Sequence, residues 1–350
     1  MSRRLVWSAV VLVALLVAGG LLAWRLSAPD PGMARALDLA PAGTERVTWT
    51  DWAAVRRSLD ADLDADSPTE DLEAFLDEAF AQDLSSTSAL LASAATLHEE
   101  LGLSPANLEW EMLAQGPDGA VEVLGPAPDT DLDDLRERLA ELGWEEPDEA
   151  DGVWRGGPSV LPSVGPGLTP ELQHVAVLDD AGVVLTSDQE GYLARAVEVA
   201  RGDGEAVAGL DDVVADLEEP VSAVAYTAAH VCERLAMSQA DAGSQETSDQ
   251  LIESAGGVHP LTAFAMGKRA GGVVRVAMEV EDAEDAAADA AARAALAQGP
   301  AVGQGGDFAD RFEVAEASSK GRVVRLDLLP REESYVLSDL SSGPVLFATC

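Results

Sequence analysis

Hydrophobic positions along this chain follow three spacings, each predicting a different element. The first is continuous. Leu5–Trp24 runs for twenty residues without a charge, enough at about 1.5 Å per residue to cross a hydrocarbon layer of roughly 30 Å. Trp7 and Trp24 lie near its ends, where interfacial aromatics are favoured, and Arg3 and Arg4 precede it. The positive-inside bias therefore predicts a cytoplasmic tip at 1–4, a transmembrane helix at 5–26 and an extracytoplasmic remainder. A cleaved signal peptide is the competing reading. Its apolar region is usually about 7–15 residues, and the nearest small-residue site, Leu26-Ser27-Ala28, is followed by Pro29. No cysteine follows the run, which argues against a lipoprotein anchor. Residues 27–43, with Pro29, Pro31 and Gly32, read as a linker.

The other two spacings alternate beyond that linker. Thr44–Thr50 is strand-like, and Asp51 is placed to cap a helix over Trp52–Leu59. Helical periodicity covers Leu72–Ala81, about Ser86–Leu101, Leu132–Leu142, Asp188–Arg201, Ala228–Met237, Ser248–Ala255 and the alanine-rich Ala283–Gln298. Hairpin patterns join Leu108–Gln115 to Ala120–Leu124, His174–Leu178 to Val183–Ser187, Leu261–Met266 to Val273–Val280 and Phe312–Ala317 to Val323–Leu329. Trp144 and Val153-Trp154 suggest a less regular strand pair, Val221–Thr227 a strand, and Tyr335–Cys350 strand-like closure.

The order strand, helix, helix, hairpin, helix, hairpin thus occurs twice. Hairpins followed by helices favour antiparallel sheets, so the expectation is an α+β class: two similar lobes, 44–205 and 206–350, each of antiparallel sheet with packed helices.

Composition changes the picture through charge. Against 63 acidic residues stand 22 basic ones, a net charge of −41. Residues 1–27 hold three arginines and no acid, so the acidity lies entirely in the exported part. Such a surface repels phosphate backbones and excludes nucleic acid as a partner. It attracts cations or a basic ligand instead. Lys268 and Lys320 are the only lysines, which together with the Ala, Val, Gly and Asp content fits a GC-rich genome or adaptation to salt.

Candidate chemistry is sparse. Asp62, Asp64, Asp66, Glu70 and Glu73 occupy positions 1, 3, 5, 9 and 12 of a calcium loop. Ser67 stands where the turn glycine belongs and Pro68 follows, which favours a solvated acidic loop over bound Ca2+, so no cofactor is expected. The four histidines, His98, His174, His230 and His259, are scattered, and His98-Glu99-Glu100 lacks the second histidine of a zinc-protease helix. Gly303–Gly306 follows a helix rather than a strand, so it reads as a turn and not a dinucleotide loop. Ser318-Ser319-Lys320 reads as a hairpin turn. Trp49, Trp52, Trp110, Trp144 and Trp154 are either groove-lining aromatics or core; their apolar surroundings favour core. Two cysteines in an oxidising compartment favour a Cys232–Cys350 disulfide over two free thiols.

The combination of TERVTWTDW (44–52), LEWEMLAQGPDGAVEVL (108–124), SAGGVHPLTAFAM (254–266) and GPVLFATC (343–350) resembles uncharacterised single-pass membrane-anchored proteins of actinobacteria. That resemblance covers most of the exported region and implies location and fold, with no activity and no functional residues. The stretch 174–201 is also similar to bacterial proteins built from repeated hairpin-plus-helix units. The expectation from all of this is a non-catalytic envelope protein that binds a partner or ligand. A wall-active hydrolase using Asp and Glu carboxylates is its rival, and a ligand-binding sensor module the third reading.

Overall fold

The computed structural model describes residues 32–350, and Met33–Cys350 form one compact unit. The tip at 1–4, the expected membrane helix at 5–26 and the start of the linker lie outside the described residues. Among the described residues no helix is long and apolar enough to cross a membrane.

Eleven strands are formed: β1 (Arg46–Thr50), β2 (Leu108–Gly116), β3 (Gly119–Pro126), β4 (Val153–Arg155), β5 (His174–Leu178), β6 (Val183–Ser187), β7 (Pro220–Thr227), β8 (Leu261–Arg269), β9 (Val274–Val280), β10 (Phe312–Lys320) and β11 (Val323–Pro330). All belong to one sheet, in the order β10-β11-β9-β8-β7-β1-β2-β3-β6-β5-β4, and every neighbouring pair is antiparallel. This corrects the expectation of two lobes, and with it the boundary at 205/206. The strands that open the two halves, β1 and β7, pair with each other, with Arg46 opposite Tyr226, Thr48 opposite Val224 and Thr50 opposite Ser222. In separate lobes each would be an edge strand with a row of unpaired backbone groups; joining them satisfies both rows.

The repeated element order survives inside this one sheet. Outward from β1 lie β2, β3, β6 and β5; outward from β7 lie β8, β9, β11 and β10. Strands β2 and β8 share a length of nine residues, and each has a register shift near its start, between Leu108 and Trp110 and between Leu261 and Ala263.

Alternation along the strands sets the two faces. One face is a single apolar core running across the β1–β7 junction. It holds Trp49, Trp110, Val121 and Leu185 from the first half and Ala223, Ala265, Ala277 and Val323 from the second. The helices Glu190–Ala200 and Asp211–Leu217 supply Leu193, Val213 and Leu217 to it. The alanines of the second half leave room for Asp211–Leu217 to pack close to the strands. Close approach also explains Gly125, where a Cβ would lie 2.3 Å from the Trp110 ring.

The other face carries two separate cores. Trp52, Leu72, Phe75, Leu135 and Leu139 pack over the first half, under the helices Trp52–Ser58, Thr69–Ala81 and Leu132–Leu142. Tyr226, Phe264, Met278, Phe308 and Phe347 pack over the second, under Ala242–Ala255, Ala286–Leu296 and Val336–Leu340.

Three sequence readings fail locally. The described part of the expected linker 27–43 holds a helix, Met33–Ala36, and a turn, Leu37–Leu39, because Met33, Ala36, Leu37 and Ala40 are buried in the continuous core. The expected helix Ser86–Leu101 shrinks to Ala94–Thr96 and a π turn at Leu97–Leu101. The hydroxyls of 86–88 take other partners: Ser86 donates to Asp83, Thr87 to the Trp49 carbonyl, and Ser88 accepts from the Leu90 N–H. Such side chains compete with the helix ladder. The closing segment is not a strand but the helix Val336–Leu340 and a turn at Leu346–Ala348. Asp83 caps that helix from the first half, accepting from the N–H groups of Leu337 at 2.8 Å and Ser338 at 3.3 Å.

Candidate functional site: a groove at the seam between the two halves

Between the two cores of the helix-rich face runs a row of polar side chains, one per strand. Lys268 on β8 pairs with Ser222 on β7, Ser222 with Thr50 on β1, and Thr50 with Glu111 on β2. An apolar row here would have merged the two cores. Instead the row holds down the segment 82–89. Lys268 Nζ donates to the Gln82 carbonyl at 2.6 Å, and Ser222 donates to that of Leu84. The Thr50 and Thr87 hydroxyls lie 3.1 Å apart, and the Ala89 N–H donates to Glu111 Oε1 at 2.9 Å.

At the Lys268 end the row opens into a groove of about 560 Å³. One wall is Ala81, Gln82 and Leu84; the other is the β8–β9 turn Ala270–Gly272 with Leu329 and Pro330 at the end of β11 and Arg331, Glu333 and Ser334 just after it. Gly271 and Gly272 both have positive φ, +97° and +91°, and a Cβ on either would meet nothing within 4 Å, so the turn presents bare backbone at the rim. The three large hydrophobic residues most exposed among those described gather here. Leu329 lines the groove at 42 % exposure; Phe80 and Tyr335, 50 % and 36 % exposed, are the chain neighbours of lining residues Ala81 and Ser334 and have ring centroids 5.9 Å apart.

Charge in the groove is inverted relative to the chain. Its lining has Lys268, Arg269 and Arg331 against Glu333 alone. Arg269 pairs with Glu218 at 2.6 Å and Arg331 with Glu313 at 3.7 Å. Lys268 has no carboxylate within salt-bridge distance among the described residues, and burial pulls its ammonium below the ordinary lysine value while Asp83 opposes that shift. Burial pushes the Asp83 carboxyl up, against hydrogen bonds from Ser86, Leu337 and Ser338.

The strongest titration anomalies lie deeper. Glu111 is fully enclosed, accepts from Trp52 Nε1 at 2.8 Å, and is pushed up to about 7 by burial, with those hydrogen bonds opposing. Glu122 on β3 stands opposite Leu113 and Thr186 and is pushed well above the usual carboxylate range by burial and then by Glu111. Its Oε1 has no hydrogen-bond partner, nor has Thr186 Oγ1. Neither glutamate lines the seam groove or the wider groove described next. They are sealed from substrate, unlike the exposed paired carboxylates a hydrolase needs.

A wider groove, about 780 Å³, holds part of the acidic loop. Asp64 and Asp66 line it, but Asp64 Oδ1 is spent within its own turn, accepting from the Asp66 N–H at 2.9 Å and from Ser67 Oγ at 3.1 Å. Pro68 caps a helix that starts at Thr69, so Glu70 and Glu73 ride exposed on its first turns while Asp62 stays exposed in the loop. Among the described residues no three His, Cys, Asp or Glu side chains are placed to hold a metal ion. The helix begins too early for a twelve-residue loop to close.

The histidines remain apart. His98 bridges the Ser67 carbonyl at 2.7 Å and the Ser104 hydroxyl at 3.0 Å. His174 is pulled down by burial, and His230, stacked on Tyr226, falls to about 4, also mainly through burial. His259 Nδ1 meets Asp289 Oδ1 at 2.6 Å, which raises its imidazole. Arg293 completes that cluster. It is wholly buried and donates to Asp289 at 2.9 Å and to the carbonyls of His259, Phe347 and Thr349. The five tryptophans are core residues; all are at most 4 % exposed, and Trp49 stacks on Trp110 at 5.3 Å. Cys232 and Cys350 form a disulfide with Cα atoms 5.5 Å apart.

Sequence reasoning missed the groove. The available signal was a lone lysine in a strand of a lysine-poor chain, followed by Arg269 and a Gly-Gly turn, but nothing local says that Phe80 and Tyr335 come together.

No family model matches the chain, and no curated protein matches it. A solved structure titled "Structure of crystal form I of TP0453" aligns over 90 % of this chain and 98 % of its own, at 6 % identity and a TM-score of 0.40. A likeness that low carries no argument.

Proposed function

We propose that this is a non-catalytic binding protein of the cell envelope, which takes hold of a partner through the seam groove. The observation that carries this reading is that exposed Leu329 lines one groove with Lys268, while exposed Phe80 and Tyr335, the chain neighbours of lining residues Ala81 and Ser334, pack on each other. Exposed large apolar side chains beside a buried-stem cation are the composition of a contact surface rather than of a solvated rim. The disulfide belongs with an oxidising compartment, and the apolar run Leu5–Trp24 supports a place at the cell membrane. The reading of a wall-active hydrolase has less behind it, because the glutamates whose pKa values burial raises are sealed inside.

Leu329→Asp tests the proposal without touching a core. Immobilised full chain is expected to retain an envelope component that the Leu329→Asp chain releases, at least tenfold, while leaving cell-wall material unhydrolysed. Equal retention by both chains, or turnover of wall material by the purified protein, would contradict it.

A further inference from the structure

The occupant of the groove can be specified further, on the assumption that the groove is the binding site. We infer that it takes an extended, acidic segment of a partner protein, with a side-chain carboxylate bound at Lys268 and an apolar neighbour set against Leu329 and the Phe80–Tyr335 pair.

Charge complementarity argues first. Across the chain acids outnumber bases nearly three to one, 63 to 22, yet in the groove lining three bases face one acid. An acidic partner is repelled elsewhere on this surface and attracted here, which gives both affinity and register. Lys268 supplies the anchor. An ammonium has three donors; one goes to the Gln82 carbonyl, and no carboxylate of the described residues takes the others. Asp83 offsets part of the cost of burying this cation but makes no ion pair with it, and a ligand carboxylate in direct contact with the ammonium would supply one. Arg269 and Arg331 are already neutralised by Glu218 and Glu313, which leaves Lys268 as the primary contact.

Shape and polarity argue for a peptide. The wall facing Gln82 is a Gly-Gly turn with exposed backbone, and hydroxyls of Ser58 and Ser334 sit among Leu84, Val221 and Leu329. Alternating polar and apolar contacts of this kind suit an extended chain, whose side chains alternate and whose amides need partners. An acyl chain would need continuous apolar walls, which this groove lacks.

The test uses the full chain and an array of immobilised nine-residue peptides. Leu and Phe are fixed at alternate positions and the rest are varied among acidic, neutral and basic side chains. The expected result is that acidic peptides are retained at least tenfold more than neutral or basic ones, with retention falling as salt rises. Lys268→Met should bring acidic peptides down to the neutral level, and Lys268→Arg should recover part of the binding. Thermal melts of both variants must match the native chain. If neutral and acidic peptides bind equally and Leu329→Asp abolishes both, the groove binds partners but not through charge, and this inference falls while the proposed function stands. If no peptide is retained, or if Lys268→Met leaves the acidic preference intact, the inference is overturned.

Discussion

Glu122 has no partner for Oε1 inside a closed core, and its neighbour Glu111 is spent on Trp52 and Ala89. Burial favours the neutral form of both. The folded chain therefore keeps protons that the unfolded chain, with an ordinary glutamate value of 4.5, has lost. The contribution of the two glutamates to stability is thus greatest in acid and declines as pH rises from the ordinary value through about 7, the value to which Glu111 is pushed. Glu122→Gln keeps the volume and removes the charge. Urea denaturation at about pH 5 and about pH 9 should show a shallower decline for this variant, with a gain on the order of 1–3 kcal/mol on the alkaline side. An unchanged slope would mean that Glu122 ionises without penalty. Neither glutamate was legible as buried: in a chain with 63 acids, LEWEM and AVEVL read as strands with a solvated face, and only the helices stacked over β2 and β3 enclose them.

Between elements, specific tethers do what local propensity does not. The helix Ala286–Leu296 holds the C-terminal segment through Arg293, whose guanidinium reaches the Phe347 and Thr349 carbonyls and neutralises buried Asp289. The adjoining disulfide spans a separation of 118 residues, worth up to about 5 kcal/mol by loop-closure entropy. Arg293→Met should cost about 3–5 kcal/mol, because buried Asp289 keeps only the half-exposed His259 as a partner and the Phe347 and Thr349 carbonyls lose their donor. His259→Ala, which removes a half-exposed ring, should cost far less. Thermal melts of the two variants check this ordering, and equal destabilisation would contradict it. Hairpins and regular helices were readable from spacing, and Asp51 does cap Trp52–Ser58 through the Ala54 N–H at 2.6 Å. What spacing could not show was the diversion of Ser86–Ser88 from a helix to side-chain hydrogen bonds with Asp83, Trp49 and Leu90, or a C-terminal segment whose apolar residues are organised by Asp83 and Arg293 from elsewhere in the chain.

For the whole molecule, the doubled element order was legible but its consequence was not. Repetition reads as two lobes unless it is known that β1 and β7 are each other's missing neighbour, and sheet pairing over 170 residues leaves no local trace. Fusion places the two helix-covered cores side by side, and the polar row that keeps them apart ends in the groove. Nor does the net charge of −41 reveal that Lys268, Arg269 and Arg331 come together in one groove lining with Glu333. The central claim is that partners are held at this seam. Site-specific photo-cross-linking tests it most directly, with a benzophenone amino acid in place of Tyr335 beside the groove and, as control, in place of exposed Glu198 on the helix Glu190–Ala200 that covers the opposite face. In intact cells the account predicts a discrete cross-linked species from position 335, none from 198, and loss of that species when Leu329→Asp is added. Equal labelling from both positions, or labelling at 335 that Leu329→Asp leaves unchanged, would contradict it.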